Sequence, residues 1–442
     1  MRVLQGLRQL MRYPAAVVGL AIIGALIVVA IYTVITVPYS EVIRLWRGGG
    51  ELWEDYPRNA WPQWINLLPG ENRPTTLIVC STEVGEKTVR PLAEGISEVE
   101  ILLPFDFTYD GFPREITVFF TAEYDERRPH VSLIWLTPDG REIRVGERTA
   151  LRAYRMSIDG GLTRRLGGKP AHVGLFADPA AEELSLKGEY TLRVEGLLFE
   201  DDADLDAKLV VYGQVHGLAG TDHMRRDLMV GLLWGIPVAL TFGFLAAVGA
   251  QISTFILAAI GVWHGKWVDG VFRWLTQVNI ILPILPLLIM VGMFFSRSIW
   301  VILGVVILLN IFSASYFVLH AMFLQIKESP YIEAARAYGA GSSRIIFRYM
   351  IPKVIPVLLP QFVMIIPTFV FIEATVAVLG LGDLHLPTLG KVIYDAHANA
   401  AIYNGHYYWM AQPGIILLIM GIGFAMVGYT LDRIFNPRLR QM

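Results

Sequence analysis

The sequence predicts an α-helical polytopic membrane protein with a β-rich domain inserted outside the membrane. Of the 442 residues, 54% are hydrophobic and 17% are charged, and the mean hydropathy is +0.49. This balance is typical of integral membrane proteins. A polar, turn-rich stretch separates the first long apolar segment from the others. We therefore divide the chain into residues 1–38 (cytoplasmic N-terminus and first transmembrane helix), 39–223 (extracytoplasmic β-rich domain) and 224–442 (five-helix core).

Six apolar segments each exceed the roughly 20 residues that a helix needs to cross a bilayer. The first is longer than a signal-peptide core and lacks a clear small-residue cleavage site, so it predicts a retained anchor. The six predicted spans are Ala15–Val37, Pro237–Gly261, Val271–Phe295, Ile299–Phe323, Ile355–Leu381 and Pro413–Ile434.

Prolines and polar residues inside these segments predict interrupted helices. The residues concerned are Asn279, Pro283 and Pro286 in the third span and Pro360 and Pro367 in the fifth. Helices broken at these points could bend to open a pathway. Residues Met224–Gly235 are too long, together with the second span, for one perpendicular crossing, and they predict a short interfacial helix leading into Pro237.

The distribution of basic residues predicts the orientation. One set of short loops and ends contains most of them, and the opposite loops offer only Arg297 and Lys391. The positive-inside rule therefore places both termini in the cytoplasm. The basic residues assigned to that side are Arg2, Arg8, Arg12, Lys266, Arg273, Lys327, Arg336, Arg344, Arg348, Lys353, Arg433, Arg438 and Arg440.

The polar stretch from Tyr39 to about Met224 favours short strands. Residues Thr137–Gly140 read Thr-Pro-Asp-Gly and predict a hairpin turn between two of them. Repeated short strands indicate a β-sandwich or jelly roll, and we expect the sandwich. The predicted strands are Thr75–Val79, Val99–Leu103, Glu115–Thr121, Val131–Leu136, Glu142–Val145, Tyr190–Glu195 and Lys208–Tyr212.

Four tryptophans lie where the chain leaves the membrane: Trp46, Trp53, Trp61 and Trp64. Interfacial anchoring and packing is the favoured interpretation, because tryptophan is common at membrane interfaces. A sugar-binding platform is the alternative.

The segment Tyr331–Pro352 has a charged helix-turn-helix pattern between two apolar stretches. Ser329 can cap a helix that begins at Pro330, and Gly339 stands where a left-handed residue would end it. Ser342 or Ser343 can cap a second helix that runs from Arg344 to Met350. We expect Pro352 and Pro356 to interrupt that second helix.

The first of these two helices is thin, because Ala334, Ala335 and Ala337 have small side chains. A thin helix can lie deep in a groove of another protein, and Glu333, Arg336 and Arg344 are then available for charged contacts. An ordinary solvated loop is the alternative interpretation.

This segment resembles the coupling loop of ATP-binding-cassette (ABC) importer permeases. The residues that match the family's EAA motif are Glu333-Ala334-Ala335, Gly339 and Tyr349-Met350-Ile351-Pro352, in which Tyr349 and Ile351 depart from the usual Ile and Leu. The resemblance extends from about Thr221 to Arg440 and is strongest to the peptide and nickel type. The further matches are Gly220-Thr221-Asp222, Arg226-Asp227, Glu373-Ala374, Leu379-Gly380-Leu381-Gly382 and Asn436-Pro437-Arg438-Leu439-Arg440.

Two features depart from the family. Arg225 replaces a glycine that usually follows the Gly-Thr-Asp segment, and the outside loop after the first span is usually much shorter.

The resemblance implies the type I ABC importer permease fold and a set of partners. These are two cytoplasmic ATPase subunits, a second permease subunit that is similar or identical, and an extracytoplasmic solute-binding protein, all at the cell inner membrane. ATP and Mg would bind the ATPase subunits, and no cofactor would bind this chain. ATPase closure would move the coupling loop, 327–353, and spans three to five would tilt. The implied coupling residues are Glu333, Ala334, Ala335, Arg336, Gly339, Arg344 and Pro352.

Four further residues are candidates for the translocation path or gate: Asn279, Glu373, Gly380 and Gly382. Glu373 is a carboxylate inside an apolar span, which is costly unless it faces the interior of the helix bundle or water. In the resembled family this glutamate precedes the outer gate. Two interpretations remain open. Glu373 either lines the path or ties the gating helix to a neighbour, or it only makes a hydrogen bond between helices.

The sequence offers little support for enzymatic chemistry. Gly167-Gly168-Lys169-Pro170 lacks the spacing and the hydroxyl residue of a phosphate-binding loop, and zinc-peptidase and serine-hydrolase motifs are absent. The single cysteine, Cys80, excludes an internal disulfide and a multi-cysteine metal cluster. The net charge of -2 argues against a broad nucleic-acid surface.

Other functions remain as alternatives to a permease that carries peptides or similar small solutes. Metal import is one, because imidazoles and carboxylates between spans five and six could bind nickel or zinc. A polar gate lip is favoured there. A membrane-anchored receptor or assembly module that works through its β domain is another, and export is a third. The residues of the possible metal site are Asp383, His385, Asp395, His397, Asn399 and His406.

Overall fold

The structure is a computed structural model and describes residues 10–48, 52–83, 85–93, 95–383 and 385–435. The chain forms two compact units, one made of Met1–Arg47 with Val230–Met442 and the other of Gly48–Met229. The predicted tail motif Asn436–Arg440 lies outside the described residues, as do Arg2 and Arg8.

The first unit begins with helix α1 (Pro14–Thr36), followed by α2 (Tyr39–Arg47). Helix α1 is apolar on all sides, as expected of a segment surrounded by lipid. It packs closely on the last helix of the unit, because a Cβ at Gly19 would lie 2.8 Å from the Gly423 carbonyl oxygen. In α2, Trp46 is buried.

The second unit contains nine antiparallel strands in two sheets. The first sheet has the order β1-β9-β4-β7, and the second has the order β2-β3-β8-β5-β6. Two 3₁₀ turns (Gln63–Leu67 and Met156–Ile158) and two short helices, α3 (Gly160–Arg165) and α4 (Ala171–Gly174), are the other regular elements described in the unit. The strands are β1 (Leu77–Cys80), β2 (Glu86–Ala93), β3 (Ile96–Phe107), β4 (Glu115–Glu123), β5 (His130–Leu136), β6 (Glu142–Thr149), β7 (Ala153–Arg155), β8 (Gly188–Leu198) and β9 (Asp204–Tyr212).

Side chains from both sheets belong to one buried hydrophobic cluster. Ile116 and Leu209 come from the first sheet, and Ile101 and Val194 come from the second. Along β3 every second side chain from Val99 onwards is buried, which is the period of a strand with one face on a core. Trp53 is also buried, whereas Trp64 is largely exposed, so the four tryptophans do not share one environment.

All seven predicted strands are confirmed, each within or overlapping an observed strand. The Thr137–Gly140 turn is confirmed as well, since β5 and β6 pair from Leu136 opposite Glu142. Strands β2 and β7 were not predicted. Strand β2 is an exposed edge strand that contains Pro91 and several charges, so its sequence does not alternate between apolar and polar residues. Strand β7 has only three residues, which is too short for such a pattern to be recognised.

The rest of the first unit is helical. Two π-helical turns, Ile345–Met350 and Ala377–Leu381, flank α12. The helices are α5 (Leu228–His264), α6 (Lys266–Ile281), α7 (Ile284–Phe294), α8 (Ile299–Ile311), α9 (Ser315–Lys327), α10 (Pro330–Ala337), α11 (Ser342–Arg344), α12 (Ile351–Val376), α13 (Leu389–Ala398) and α14 (Tyr407–Phe435).

Within the described ranges, four helical stretches are long and apolar enough to cross a membrane, and two bent pairs bring the number to as many as six. The pair α6 and α7 bends by 81° and the pair α8 and α9 by 46°. The break predicted in the third span is confirmed between Ile281 and Ile284, where Pro283 interrupts the backbone hydrogen bonding. The break between α8 and α9 was not predicted.

Side chains from other helices satisfy the backbone carbonyls freed at the second break. Asn279 donates to the carbonyl oxygens of Leu309 (2.6 Å) and Phe312 (3.1 Å). Thr254 of α5 donates to the Ile311 carbonyl oxygen at 2.7 Å. A helix can therefore break within an apolar bundle without leaving its last carbonyls unpaired.

Two expectations about proline were wrong. Helix α5 runs without a break through Pro237, so residues 228–235 are its first turns and not a separate interfacial helix. Likewise α12 begins at Ile351 and continues through Pro352, Pro356, Pro360 and Pro367. Each proline removes one backbone donor, and packing in a helical bundle can compensate for that loss.

Candidate functional site

The first helix of the predicted coupling loop, α10, begins where the sequence indicates. Pro330 occupies its first turn, where the missing N–H costs no hydrogen bond. The Ser329 hydroxyl does not cap α10 but donates to the Ile326 carbonyl of the preceding helix. Similarly, α11 starts after Gly341 without a side-chain cap from either serine.

Gly339 ends α10 in the left-handed conformation, with φ +75°. The N–H of Ala340 bonds the Ala335 carbonyl at 3.0 Å, and the N–H of Gly339 bonds the Arg336 carbonyl at 2.9 Å. These are the two hydrogen bonds of a Schellman motif, which satisfy carbonyls that a helix end otherwise leaves free. The sharp turn between α10 and α11 therefore depends on a backbone conformation that favours glycine.

The inner side of residues 327–353, which we call the coupling hairpin, is fixed to two long helices. Ile332, Ile345 and Met350 are fully buried. They share one hydrophobic cluster with residues of α5 such as Val262 and of α9 such as Phe323. The hairpin is thus packed against the bundle and is not a loose loop.

Two cations hold the hairpin to the C-terminal end of α5. The Lys327 ammonium donates to the carbonyl oxygens of Val262 (2.6 Å) and Trp263 (3.3 Å). These contacts cap free carbonyls and place a positive charge at the negative end of the helix dipole. The Arg336 guanidinium lies 4.5 Å from the centre of the Trp263 ring. Arg336 therefore has a partner within this chain, in addition to any contact outside it.

The opposite side of the hairpin is exposed, and we call it the outward hairpin face. It contains the sequence candidates Glu333, Ala334, Arg344 and Pro352. Ala335, by contrast, is buried on the inner side. The outward hairpin face also presents Tyr338, which is 92% exposed, and Phe347 and Tyr349. Sequence reasoning named Tyr349 only as a departure from the family motif and missed Tyr338 and Phe347, although Tyr338 directly precedes the left-handed Gly339 at a turn and can be expected to point outward.

At the other end of α12, Glu373 is only 4% exposed. Its carboxylate lies close to the Thr388 side chain, at the residue that precedes α13. The Thr388 hydroxyl also accepts the Lys391 N–H at 3.2 Å and so caps α13. The Thr388 side chain therefore lies at the start of α13 and next to the buried carboxylate of Glu373.

Small residues allow α13 to approach α12 closely. A Cβ at Gly390 would lie 2.5 Å from the Ala374 carbonyl oxygen. Gly380 has φ +79°, and a Cβ there would lie 2.8 Å from the Tyr394 ring. A Cβ at Gly382 would meet Ala377 at 2.8 Å.

The structure thus places Glu373 and Gly380 beside α13 or the residue that precedes it, whereas Gly382 packs on Ala377 within the turn after α12. The sequence did not single out Thr388, Gly390 or Tyr394. Asn279 does not belong to this group, because its amide bonds the carbonyls at the α8–α9 break.

The possible metal ligands between spans five and six make local contacts. Asp383 accepts the backbone N–H groups of His385 (2.8 Å) and Ile299 (3.3 Å), and Asp395 pairs with Lys391 at 2.7 Å. His385 also contacts Arg47. Within the described ranges, no group of three histidine, cysteine or acidic side chains could hold a metal ion.

Thr388→Val should destabilise the α12–α13 contact. It removes the cap of α13 and the hydroxyl beside a buried carboxylate, and the loss of a helix cap costs about 1 kcal/mol. We expect a lower midpoint of thermal unfolding for the purified full-length protein in detergent. Thr388→Ser retains the hydroxyl and is the matched control. Equal unfolding midpoints for the valine and serine variants would contradict this role.

A family model described as "Binding-protein-dependent transport system inner membrane component" matches residues 231–441. The dipeptide transport system permease protein DppC of Alkalihalophilus pseudofirmus is 25% identical over 222 residues, which cover 50% of this chain and 72% of that protein. The oligopeptide transport system permease protein OppC of Bacillus subtilis is 26% identical over 223 residues, covering 50% and 72%.

Among solved structures, an inward-facing MetNI methionine ABC transporter matches with a TM-score of 0.35 and 18% identity, over 47% of this chain and 96% of that one.

Proposed function

We infer that this chain, which belongs through residues 231–441 to the inner-membrane component family of binding-protein-dependent transport systems, is a permease subunit of an ABC importer. It is not itself an enzyme, because in such transporters ATP hydrolysis is performed by separate subunits. The relatives named above are peptide permeases, and peptides or similar small solutes are the substrates proposed here.

The proposed topology has six crossings, with each bent helix pair counted as one span. Both termini and the coupling hairpin lie in the cytoplasm, as the distribution of basic residues favours. The two sheets of Gly48–Met229 form a β-sandwich on the opposite side of the inner membrane. Their shared hydrophobic cluster supports that arrangement.

The outward hairpin face is the proposed docking surface for an ATPase subunit. One observation carries this assignment. The hairpin buries its inner side against α5 and α9 and leaves Glu333, Arg344 and Tyr338 exposed on the other side. A packed hairpin can transmit force, and its exposed aromatic and charged side chains suit a protein partner. Glu333, Ala334, Ala335, Arg336, Gly339, Arg344 and Pro352 remain the proposed coupling residues.

Two such ATPase subunits would hold ATP and Mg, and their closure would move the hairpin together with the ends of α5 and α9. The transmembrane path would then change the side to which it opens. A second permease subunit, similar or identical, would complete the path, and an extracytoplasmic binding protein would deliver the solute. We assign Glu373, Gly380 and Gly382 to the outer gate, next to the α12–α13 contact. Asn279 maintains the bend next to the path.

Site-specific crosslinking can test the docking surface. Tyr338→Cys in a Cys80→Ser background carries one thiol at the exposed turn, since Cys80 is the chain's single cysteine. We expect it to crosslink to an ATPase subunit in the assembled complex, with an efficiency that changes when ATP is added. Ile158→Cys in the same background is the control, because Ile158 is exposed on the second unit, which we place on the opposite side of the membrane. Equal crosslinking from both positions, or none from position 338, would refute the assignment.

A further inference from the structure

The second unit, Gly48–Met229, contains a cavity that lies apart from the coupling hairpin and the α12–α13 contact in the chain. Its volume is about 490 Å³, and four arginines line it: Arg58, Arg152, Arg155 and Arg225. We propose that this cavity is a binding site for an anionic group, a carboxylate or a phosphate. All of its residues belong to Gly48–Met229, so the proposal does not rest on the transport function.

The charges around the cavity are unbalanced. Glu54 is the acidic residue in the lining, and it lies 3.5 Å from Arg152. Arg225 pairs with Glu115. Neither Arg58 nor Arg155 has a side-chain ionic partner among the residues that the structure describes. Both are exposed, so solvent screens their charges, but their guanidinium groups remain available to a bound anion.

Arg225 forms a fixed wall of the cavity. It is buried, and its guanidinium donates to the Tyr56 carbonyl oxygen at 2.6 Å and lies 4.2 Å from the centre of the Tyr212 ring. Its φ is +70°, a conformation that favours glycine. Glycine would adopt this backbone conformation with less strain than arginine. The contacts of the Arg225 side chain with Tyr56, Tyr212 and Glu115 compensate for the strain.

The lining also suggests the size and class of the ligand. Phe119 and Tyr212 contribute aromatic surface to the lining. Arginine binds carboxylate and phosphate oxygens in a bidentate manner, and aromatic walls suit an organic group attached to them. The volume lies within the range of small-molecule sites. A small organic acid or a phosphate ester fits these properties, and a phospholipid headgroup is a second source of the same chemistry.

The test measures binding of radiolabelled inorganic phosphate and succinate to the full-length protein in nanodiscs of phosphatidylcholine. We expect saturable binding in which each anion competes with the other. Arg58→Gln and Arg155→Gln should each weaken it about tenfold, the effect of losing one charge-assisted hydrogen bond. Arg127→Gln removes an exposed arginine outside the cavity lining and should leave binding unchanged. Because the first two arginines have no side-chain ionic partner among the described residues, we expect both variants to fold normally.

Nanodiscs that contain phosphatidylglycerol distinguish the two sources. If both anions bind in phosphatidylcholine but are displaced in phosphatidylglycerol, the site is supported and a lipid phosphate is its occupant. If binding is the same in both lipids, the site is supported and the ligand is soluble. The proposal is overturned if neither anion binds saturably in either lipid, or if Arg58→Gln and Arg155→Gln bind as well as Arg127→Gln.

Discussion

Gly339→Val is expected to abolish solute uptake while the protein still inserts into the membrane. The left-handed backbone at Gly339 costs a residue with a side chain roughly 1–2 kcal/mol, and a β-branched residue more. A Cβ at this position would meet nothing within 4 Å, so the effect comes from the backbone and not from a clash. The variant should loosen the Schellman turn and disconnect the outward hairpin face from α5 and α9.

The control for this experiment lies two residues away. Gly341 has φ -66° and equally open space around its Cβ, so Gly341→Val adds the same side chain without backbone strain. Gly339→Asn should be intermediate, because asparagine tolerates the left-handed region. The measurement is ATP-driven uptake into proteoliposomes that contain the full complex, with ATP hydrolysis followed in parallel. If Gly339→Val kept substrate-stimulated hydrolysis and uptake, the hairpin would not couple the two processes.

Asp222→Ala is expected to destabilise the second unit, Gly48–Met229, by about 3–5 kcal/mol. Asp222 is fully buried and lies 2.6 Å from the Arg226 guanidinium, which is also buried. Its other oxygen accepts the backbone N–H groups of Met224 (2.8 Å) and Arg226 (2.9 Å). Alanine would leave the Arg226 charge without this carboxylate and would remove the acceptor that orders the turn. Asp222→Asn retains an acceptor and should cost less.

Cys80 can report this change, because it is the single cysteine of the chain and lies in β1 of the second unit. Burial, and secondarily the charge of Glu83, raises the pKa of its thiol, so the folded unit should react slowly with maleimide. Cys80 is only partly buried, so labelling of the folded native protein is the baseline. Above that baseline, a loss of about 3 kcal/mol should increase labelling through opening of the unit by about a hundredfold. Similar rates for the alanine, asparagine and native proteins would show that the ion pair contributes little.

The strands and the hairpin were predictable because their signals are local. Each predicted strand has a run of β-favouring residues, and the left-handed Gly339 was identifiable from its place after an apolar-periodic helix. The edge strand β2 was not predictable, since its charges and Pro91 resemble a loop and only pairing with β3 makes it a strand.

The prolines led to wrong predictions of helix breaks, because tertiary packing keeps these helices continuous. Pro237, Pro360 and Pro367 are helix breakers in local terms, yet packing keeps α5 and α12 continuous. The break between α8 and α9 carries no proline, and its support comes from Asn279 and Thr254 on other helices. The partner of Glu373 was equally hidden, because Thr388 is adjacent to it only in the folded chain.

The continuity of α5 has a mechanical consequence. Its 37 residues form a rod of about 55 Å, well beyond the roughly 30 Å of a hydrocarbon layer. One end of the rod carries Trp263 and its contacts with Arg336 and Lys327, and the other end is the residue at which the inserted domain rejoins the helical chain. A rod without a joint cannot absorb a displacement applied at one tip. A displacement applied at the Trp263 end is therefore expected to be transmitted along α5 to its first residues, next to the boundary with the second unit in the chain.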